Sequence, residues 1–151
     1  MNIRYAAGLF DGEGYVRVAT YKKPNSIHTR YQVYGGINMC HRPVIEELHR
    51  TFGGSMPSPG RRLSPTHRPL YTWNVSSQLM CTFLRKVMPY LIVKKDEAEL
   101  ALELQDSIDR YKFKLGNRYW LHPERDAILA RRAEIATEMS ALKHRIFPLT
   151  D

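Results

Sequence analysis

Hydrophobic and polar residues follow two different periods along the chain, and the changes between them divide it into elements. Alternation with period two predicts strands at residues 16–23, 30–38 and 71–75, because successive side chains of a strand point to opposite faces. Apolar residues spaced three and four apart predict helices at about residues 2–11, 43–52, 76–88, 95–115 and 123–144. Residues 57–69 are rich in proline, which favours an extended arm or loop. The predicted order is helix, hairpin, helix, hairpin, helix and two more helices.

The strands have one apolar and one polar face. Val16, Val18, Val33 and Ile37 are predicted to face the core. The opposite face is basic, aromatic and rich in amides, which indicates that it meets solvent or a polar ligand. Its predicted members are Arg17, Ala19, Tyr21, Lys23, Arg30, Gln32, Tyr34 and Gly36, with Thr72 and Asn74 from the returning strand.

Apolar stripes identify the core faces of the helices. The third predicted helix carries Leu79, Met80, Phe83, Leu84, Val87 and Met88, and Pro89 ends it. The last helix has a seam formed by Ile128, Leu129, Ile135, Met139 and Leu142. Its polar side chains Arg131, Arg132 and Glu134 are predicted to face water.

The end of the first helix, AAGLFDGEG at residues 6–14, has an unusual composition. Ala6, Ala7 and Gly8 are small enough for another helix backbone to approach closely, and Glu13 stands where that helix would stop. Two copies packed side by side would bring two Glu13 carboxylates together, and such a pair repels unless a cation lies between them. Oxygen ligands suit Mg²⁺ or Ca²⁺. The segment therefore predicts dimerisation and metal binding together.

This segment resembles the signature nonapeptide of the LAGLIDADG homing endonucleases, with mild departures at Ala6, Phe10, Gly12 and Glu13. A second segment, PYLIVKK at residues 89–95, resembles the one that supplies the family's active-site lysine. The resemblance implies an α+β fold of order αββαββα with extra C-terminal helices, as a single domain over residues 1–151. Its antiparallel sheets would form a DNA-binding saddle.

The resemblance also implies roles for individual residues. Glu13 and the carbonyl of Gly12 would bind Mg²⁺, for which Ca²⁺ or Mn²⁺ can substitute in binding or activity. Lys94 would stabilise negative charge at the cut phosphate, and Asp11 would brace the partner helix. Asn38 is the candidate for ordering the attacking water; a different gap placement puts Met39 there, and a methionine lacks the chemistry.

Nearby, His41 or Arg42 could replace the family's second basic residue. One copy of the nonapeptide is present, so the partner is expected to be a second copy of the chain. The predicted dimer interface comprises Ala6, Ala7, Gly8, Phe10 and Asp11. A twofold dimer predicts a long pseudo-palindromic DNA target, and the resemblance implies a break near its centre with short 3′ overhangs and a role in intron homing.

The overall charge agrees with a polyanionic partner. Lys and Arg total 23 against 15 Asp and Glu, which gives +8 at pH 7. No apolar run approaches the ~20 residues that span a bilayer and no secretory signal begins the chain, so an intracellular setting is expected and a membrane partner is not. Organelle, bacterial, archaeal and phage settings stay open. Cys40 and Cys81 lack metal-site spacing and are interpreted as packing residues.

Side chains on the polar face suit double-stranded DNA. In the major groove, Arg17 and Arg30 suit guanine, while Gln32 and Asn74 suit adenine. Tyr21, Lys23 and Tyr34 suit sugar and phosphate. Ala19, Thr72 and the arginines of the proline-rich connection complete the predicted DNA-binding set, these last being Arg61, Arg62 and Arg68.

Two other functions are compatible with the same fold. An RNA-binding maturase would assist splicing of its intron, and only then would RNA be a partner. A catalytically silent DNA-binding regulator would have no need of the acidic residue at position 13, and Glu13 is present.

Overall fold

The computed structural model describes residues 1–22, 29–57, 66–111 and 122–143. Within these ranges the chain forms five α-helices and three strands, which confirms the α+β class. A 3₁₀ turn, Met88–Tyr90, separates α3 from α4. The elements are α1 (Ile3–Glu13), β1 (Gly14–Lys22), β2 (Thr29–Met39), α2 (Arg42–Phe52), β3 (Tyr71–Ser76), α3 (Ser77–Val87), α4 (Lys95–Arg110) and α5 (Arg125–Leu142).

The strands form one antiparallel sheet in the order β1-β2-β3. Gly14 pairs with Ile37, and Ile37 pairs with Trp73, so the predicted alternation of faces holds across all three strands. The first strand of the second predicted hairpin is represented, within the described residues, by an isolated bridge between Ser55 and Asn74. Residues 58–65 lie outside the described residues.

The helices pack on the apolar face of the sheet around buried aromatic rings. Trp73 is fully buried, and its indole Nε1 donates to the carbonyl of Gly53 at 2.7 Å, which satisfies its polar atom inside the core. Phe83 lies edge-on to Phe10, Phe52 and Trp73, with ring centroids 4.9 to 5.2 Å away. The opposite face of the sheet is left open to a ligand.

α1 ends two residues later than predicted, at Glu13, and Gly14 caps it. The backbone N–H of Gly14 donates to Phe10 O, and a Cβ at Gly14 would lie 2.3 Å from the Phe10 ring. Only glycine therefore fits where α1 turns directly into β1. At the other end, the Asn2 side chain accepts a hydrogen bond from Arg4 N at 2.8 Å.

α4 ends at Arg110, earlier than predicted, and Arg132 of α5 lies against this end of the helix. The Arg132 guanidinium donates to the Ser107 hydroxyl at 2.9 Å and to the carbonyls of Ser107 and Tyr111 at 2.7 and 3.0 Å. Its residue is only 7% exposed, so the prediction that it faces water is wrong. The Ser107 carbonyl also accepts the N–H of Tyr111, so Arg132 adds a second donor to it and reaches the Tyr111 carbonyl just beyond the helix end. Burial lowers the pKa of Arg132.

Two further expectations need correction. Leu79 is 40% exposed and lies on the open side of α3, whereas the rest of its predicted stripe is buried or partly buried. Cys81 packs in the core, where burial raises the pKa of its thiol to about 11, but Cys40 is exposed. Within the described ranges, no helix is long and apolar enough to cross a membrane.

Replacing Arg132 by Met should lower the free energy of unfolding by about 2 kcal/mol, because three partly buried hydrogen bonds from the guanidinium to Ser107 and Tyr111 are lost. Urea unfolding of the full chain measures the change. Arg131→Met is the matched control, since Arg131 pairs with Glu103, Glu134 and Glu138 on a half-exposed surface and its loss should cost less. A larger loss for Arg131 than for Arg132 would contradict this account of the α4–α5 packing.

Candidate metal site and nucleic-acid interface

The carboxylate of Asp11 joins two segments that are far apart in sequence. It accepts the backbone N–H of Ile92 at 2.7 Å and that of Lys94 at 3.0 Å. The Lys94 ammonium donates in turn to the backbone carbonyl of Asp11. We call this set of three hydrogen bonds the Asp11 clamp. It holds the lysine-bearing segment against the last turn of α1, the same turn that carries Glu13.

Asn38 lies near the end of α1. It follows Ile37, which pairs with Gly14, the first residue after α1, and it pairs with Thr72 on its other side. The Asn38 Oδ1 atom is buried and has no hydrogen-bond partner within the described structure. A buried acceptor without a donor is costly, and such atoms call for a missing water or ion. Glu13 is exposed. The structure thus places the Lys94 segment against the last turn of α1, and Asn38 one residue beyond the strand pair that follows this turn.

The oxygen atoms at this end suit a hard cation. The Glu13 carboxylate is exposed, the Gly12 carbonyl is among the last four of α1 that lack an intrahelical donor, and Asn38 Oδ1 is unpaired. Among the described residues, no three His, Cys, Asp or Glu side chains are grouped as a complete metal site.

The outer face of α1 differs from the predicted dimer interface. Ala6, Ala7 and Phe10 are fully buried in the protomer's own core, so these predicted interface residues cannot present their side chains to a partner in this structure. Gly8 and Gly12 are exposed, and a Cβ at either would meet nothing within 4 Å. The reason is helical geometry: residues four apart share a face, and positions 8 and 12 lie on the face away from the sheet.

Large exposed hydrophobic side chains surround this glycine face. Tyr5 is 54% exposed, Ile92 is 87% exposed and Val93 is 67% exposed. Tyr90 is also exposed and lies under the guanidinium of Arg4, at 5.5 Å from the ring centroid. Exposed apolar patches of this kind mark interaction surfaces. We call these residues, with Gly8 and Gly12, the α1 surface.

The open face of the sheet carries the predicted DNA-binding residues together. The register aligns Arg17 with Tyr34, Ala19 with Gln32, and Tyr21 with Arg30, and it brings Thr72 and Asn74 onto the same face from β3. Arg68 is exposed in the segment that leads into β3. Lys23, Arg61 and Arg62 lie outside the described residues.

Several of these side chains are already engaged with one another. The Tyr21 hydroxyl donates to Gln32 Oε1 at 3.4 Å, and Gln32 Nε2 donates to the Ser77 hydroxyl at 3.3 Å. Ser77 has a positive φ of 52°, which is strained for a residue other than glycine. Each end of the Gln32 amide therefore makes one hydrogen bond within the protein.

The sequence analysis did not select Tyr15, although it lies two residues before Arg17 in β1 and therefore on the same face of the sheet. Its hydroxyl donates to Asn74 Oδ1 at 2.8 Å, its ring lies edge-on to Tyr34, and the Arg17 guanidinium lies 5.6 Å from its ring centroid. Burial, and secondarily Tyr34, raises the pKa of Tyr15, so its hydroxyl stays protonated near neutral pH.

The alternative residues near Asn38 occupy less suitable positions. Met39 is partly buried and packs against the core, on the face opposite Asn38. Arg42 donates to Glu46 at 2.7 Å and lies over the Tyr71 ring, while His41 precedes α2 as an exposed residue. Of these candidates, Asn38 has an unpaired side-chain oxygen, and it lies next in sequence to Ile37, the strand partner of Gly14.

Comparison with known proteins gives a match at the level of structure. No protein-family model and no curated protein matches the chain. It is similar to the archaeal intron-encoded homing endonuclease I-Vdi141I complexed with DNA, with a TM-score of 0.72 and 19% identity over 99% of this chain and 88% of that one. It is also similar to the homing endonuclease I-CvuI in complex with the I-CreI target in the presence of Mg, with a TM-score of 0.70 and 15% identity over 99% and 85% of the two chains.

A third similar structure is the LAGLIDADG homing endonuclease I-GzeII in complex with its DNA target. The TM-score is 0.62 and the identity 15%, over 97% of this chain but only 45% of that one. The chain has the LAGLIDADG homing endonuclease fold. This confirms the fold that the nonapeptide and the order of elements predicted.

Within the LAGLIDADG fold, the unpaired oxygen of Asn38 has a measurable consequence. Replacing Asn38 by Val should raise the free energy of unfolding by about 1 to 2 kcal/mol, because a buried acceptor without a donor is removed. Thr72→Val, on the paired position of β3, is the matched control and should have a smaller effect. Equal changes for the two variants in urea unfolding would indicate a general gain in strand propensity instead.

Proposed function

We propose that the protein is a homodimeric, site-specific DNA endonuclease that makes a metal-dependent double-strand break. The observation that carries this proposal is the Asp11 clamp, which holds Lys94 against the last turn of α1, the turn that carries the exposed Glu13. The clamp thus places a basic group, Lys94, close to an acidic group, Glu13, where α1 joins the sheet. Phosphodiester hydrolysis needs these two kinds of group.

Similar structures support DNA as the substrate. I-Vdi141I and I-GzeII were solved in complexes with DNA, and I-CvuI with DNA in the presence of Ca or Mg. The net charge of +8 per chain agrees with a polyanionic substrate. The three-stranded sheet offers arginine, tyrosine and amide side chains on one face, which is the chemistry that reads a major groove.

The α1 surface supports a homodimer. Six large hydrophobic side chains are exposed among the described residues, and four of them belong to this surface: Tyr5, Tyr90, Ile92 and Val93. Gly8 and Gly12 let a second helix backbone come close. In a dimer formed through this face, the two Glu13 side chains would lie near the twofold axis. Each protomer would then add carboxylate oxygens to the cation site of the other. The target would then be a pseudo-palindrome.

Each residue at this axis has a distinct task. Glu13 and the Gly12 carbonyl would hold Mg²⁺, which, when bound, activates water and neutralises charge on the phosphate. Asn38 Oδ1 accepts a hydrogen bond from the attacking water and orients it. Lys94, released from the Asp11 carbonyl, donates to the phosphate oxygen that gains negative charge. Asp11 keeps the backbone of this segment in place throughout.

Substitution of Gly8 by Leu should break the dimer without unfolding the protomer, because open space surrounds the position and Leu favours a helix more than Gly does. Sedimentation should change from dimer to monomer, and cleavage of a target duplex should be lost. Ser140→Leu, which adds the same side chain to an exposed position of α5, is the control. A monomeric wild-type protein with DNA bound would overturn the dimer.

Glu13→Gln should abolish cleavage and preserve DNA binding, because the amide keeps the size of the side chain but loses its charge for the cation. The assay uses a duplex selected from a randomised library by the wild-type protein in Ca²⁺, followed by cleavage in Mg²⁺. Glu99→Gln, at an exposed position of α4, is the control. Metal-dependent cleavage by Glu13→Gln at the wild-type rate would refute the metal role.

Lys94→Met should lower the single-turnover cleavage rate on the order of 100-fold, as expected for loss of a group that stabilises transition-state charge. The affinity for the duplex should change much less. The adjacent Lys95 is exposed at the first position of α4, so Lys95→Met is a closely matched control. Equal losses in both variants would show that general positive charge, and not the position of Lys94, matters.

A further inference from the structure

Acidic side chains form a line along the exposed side of α4. Ala98, Ala101 and Leu104 of this helix are fully buried in the core. Exposed carboxylates recur on the opposite side at intervals of three and four residues, which places them in one row along the helix. We call this row the α4 acidic stripe, and its members are Asp96, Glu99, Glu103 and Asp106.

Basic side chains nearby neutralise the stripe only in part. Arg131 of α5 donates to Glu103 at 2.8 Å, but it also pairs with Glu134 and Glu138, so three carboxylates share one guanidinium. The whole of α4, KDEAELALELQDSIDR, holds six acidic and two basic residues. This helix is therefore negatively charged, on a chain whose total charge is +8.

The sheet has the opposite charge. β1, β2 and β3 contain Arg17, Lys22 and Arg30, and these three strands have no Asp or Glu. The buried side of α4 packs towards the sheet and the neighbouring helices, and its exposed side carries the stripe. The hydrophobic core thus lies between the acidic stripe and the basic polar face of the sheet.

Each of these two surfaces acts on DNA mainly through its own charges. The Debye length is about 8 Å at physiological ionic strength, and an α-helix with its side chains is about 10 Å wide. Because a layer of helix separates the stripe from the sheet, salt screens most of the positive potential of the sheet at the outer side of α4. Phosphates that approach α4 would therefore meet a local negative charge, despite the net charge of +8.

We propose that the α4 acidic stripe keeps double-stranded DNA off the helical side of the protein, so that a protein bound through its sheet holds one duplex and not two. The inference rests on the proposed function, because it takes DNA as the ligand of the sheet. Nonspecific affinity for DNA comes mainly from contacts between basic residues and phosphates. A protein of this net charge without the stripe would bridge two duplexes, and bridging would slow its search for one target.

The test measures whether one protein particle holds two duplexes. Non-target duplexes labelled with a donor or an acceptor dye, each long enough to span the sheets of a dimer, are mixed with protein at about 50 mM salt. The wild-type protein should bind DNA with little energy transfer. The stripe variant Glu99→Gln, Glu103→Gln, Asp106→Asn should bind a second duplex on the order of tenfold more tightly, because Arg85 and Arg131 each lose a carboxylate partner and can contact phosphates.

A matched variant removes the same number of charges at exposed positions outside the stripe: Glu46→Gln, Glu124→Gln and Asp126→Asn. It should give no more energy transfer than the wild-type protein. Surface ion pairs contribute little to stability, so both variants should fold. Single-turnover cleavage of a library-selected target in Mg²⁺ should proceed at the wild-type rate in both, since neither variant changes the sheet or the end of α1.

The outcomes separate this inference from the proposed function. If the wild-type protein binds no duplex, the proposed function fails and the inference fails with it. If the wild-type protein already bridges two duplexes, or if the stripe variant does not, only the inference is wrong. An equal gain in the matched variant would show that net charge and not the stripe is responsible, and would also overturn it. Bridging by the stripe variant alone, with an unchanged cleavage rate, supports the inference.

Discussion

The Asp11 clamp is the interaction on which the arrangement of the candidate site depends. A helix ends with unpaired carbonyls, and a loop exposes unpaired N–H groups. Asp11 provides partners for both kinds of group. Its carboxylate accepts the backbone N–H groups of Ile92 and Lys94, and its carbonyl accepts a hydrogen bond from the Lys94 ammonium. Residues 81 positions apart in the sequence, Asp11 and Ile92, are thereby joined at the point where α1 becomes β1. Charged hydrogen bonds to backbone groups are among the stronger ones in proteins.

α1 has two faces with opposite requirements. Ala6, Ala7 and Phe10 fill the protomer's core, and the Phe10 ring also forces glycine at position 14. Gly8 and Gly12 leave the other face bare, beside exposed Ile92 and Val93. A helix that served only the core would gain stability from alanine at both exposed glycines. Their presence agrees with a surface that a second helix covers.

The polar face of the sheet is partly preorganised. The Asn74 amide accepts one hydrogen bond from Tyr15. The Gln32 amide accepts one from Tyr21 and donates one to Ser77, so two amides of the same chemical type have different partners. Preorganised groups lose less entropy on binding than free side chains do. The strained φ of Ser77 agrees with a functional constraint at this face. Composition alone treats Gln32 and Asn74 as equivalent; their hydrogen bonds separate them.

Local features of the sequence determined the elements and the fold. Period-two alternation at Val33 and Ile37, the apolar stripe of α2 and the nonapeptide at the end of α1 are encoded by neighbours in the chain, so they could be read without coordinates. They were sufficient to predict the α+β order. Lys94 and Asn38 were added to Glu13 as candidate site residues through the resemblance to the LAGLIDADG homing endonucleases, and not through periodicity.

Only the tertiary structure decided which partners these side chains have. Arg132 was predicted to face water, yet it is buried, because its partners are carbonyls at the end of α4. Ala6 and Phe10 were predicted to form the dimer interface, but both are fully buried in the protomer's own core. Asn74 and Gln32 differ only through Tyr15, Tyr21 and Ser77. Periodicity specifies the face on which a residue lies, but hydrogen bonds between distant segments depend on how the elements pack, which no local pattern encodes.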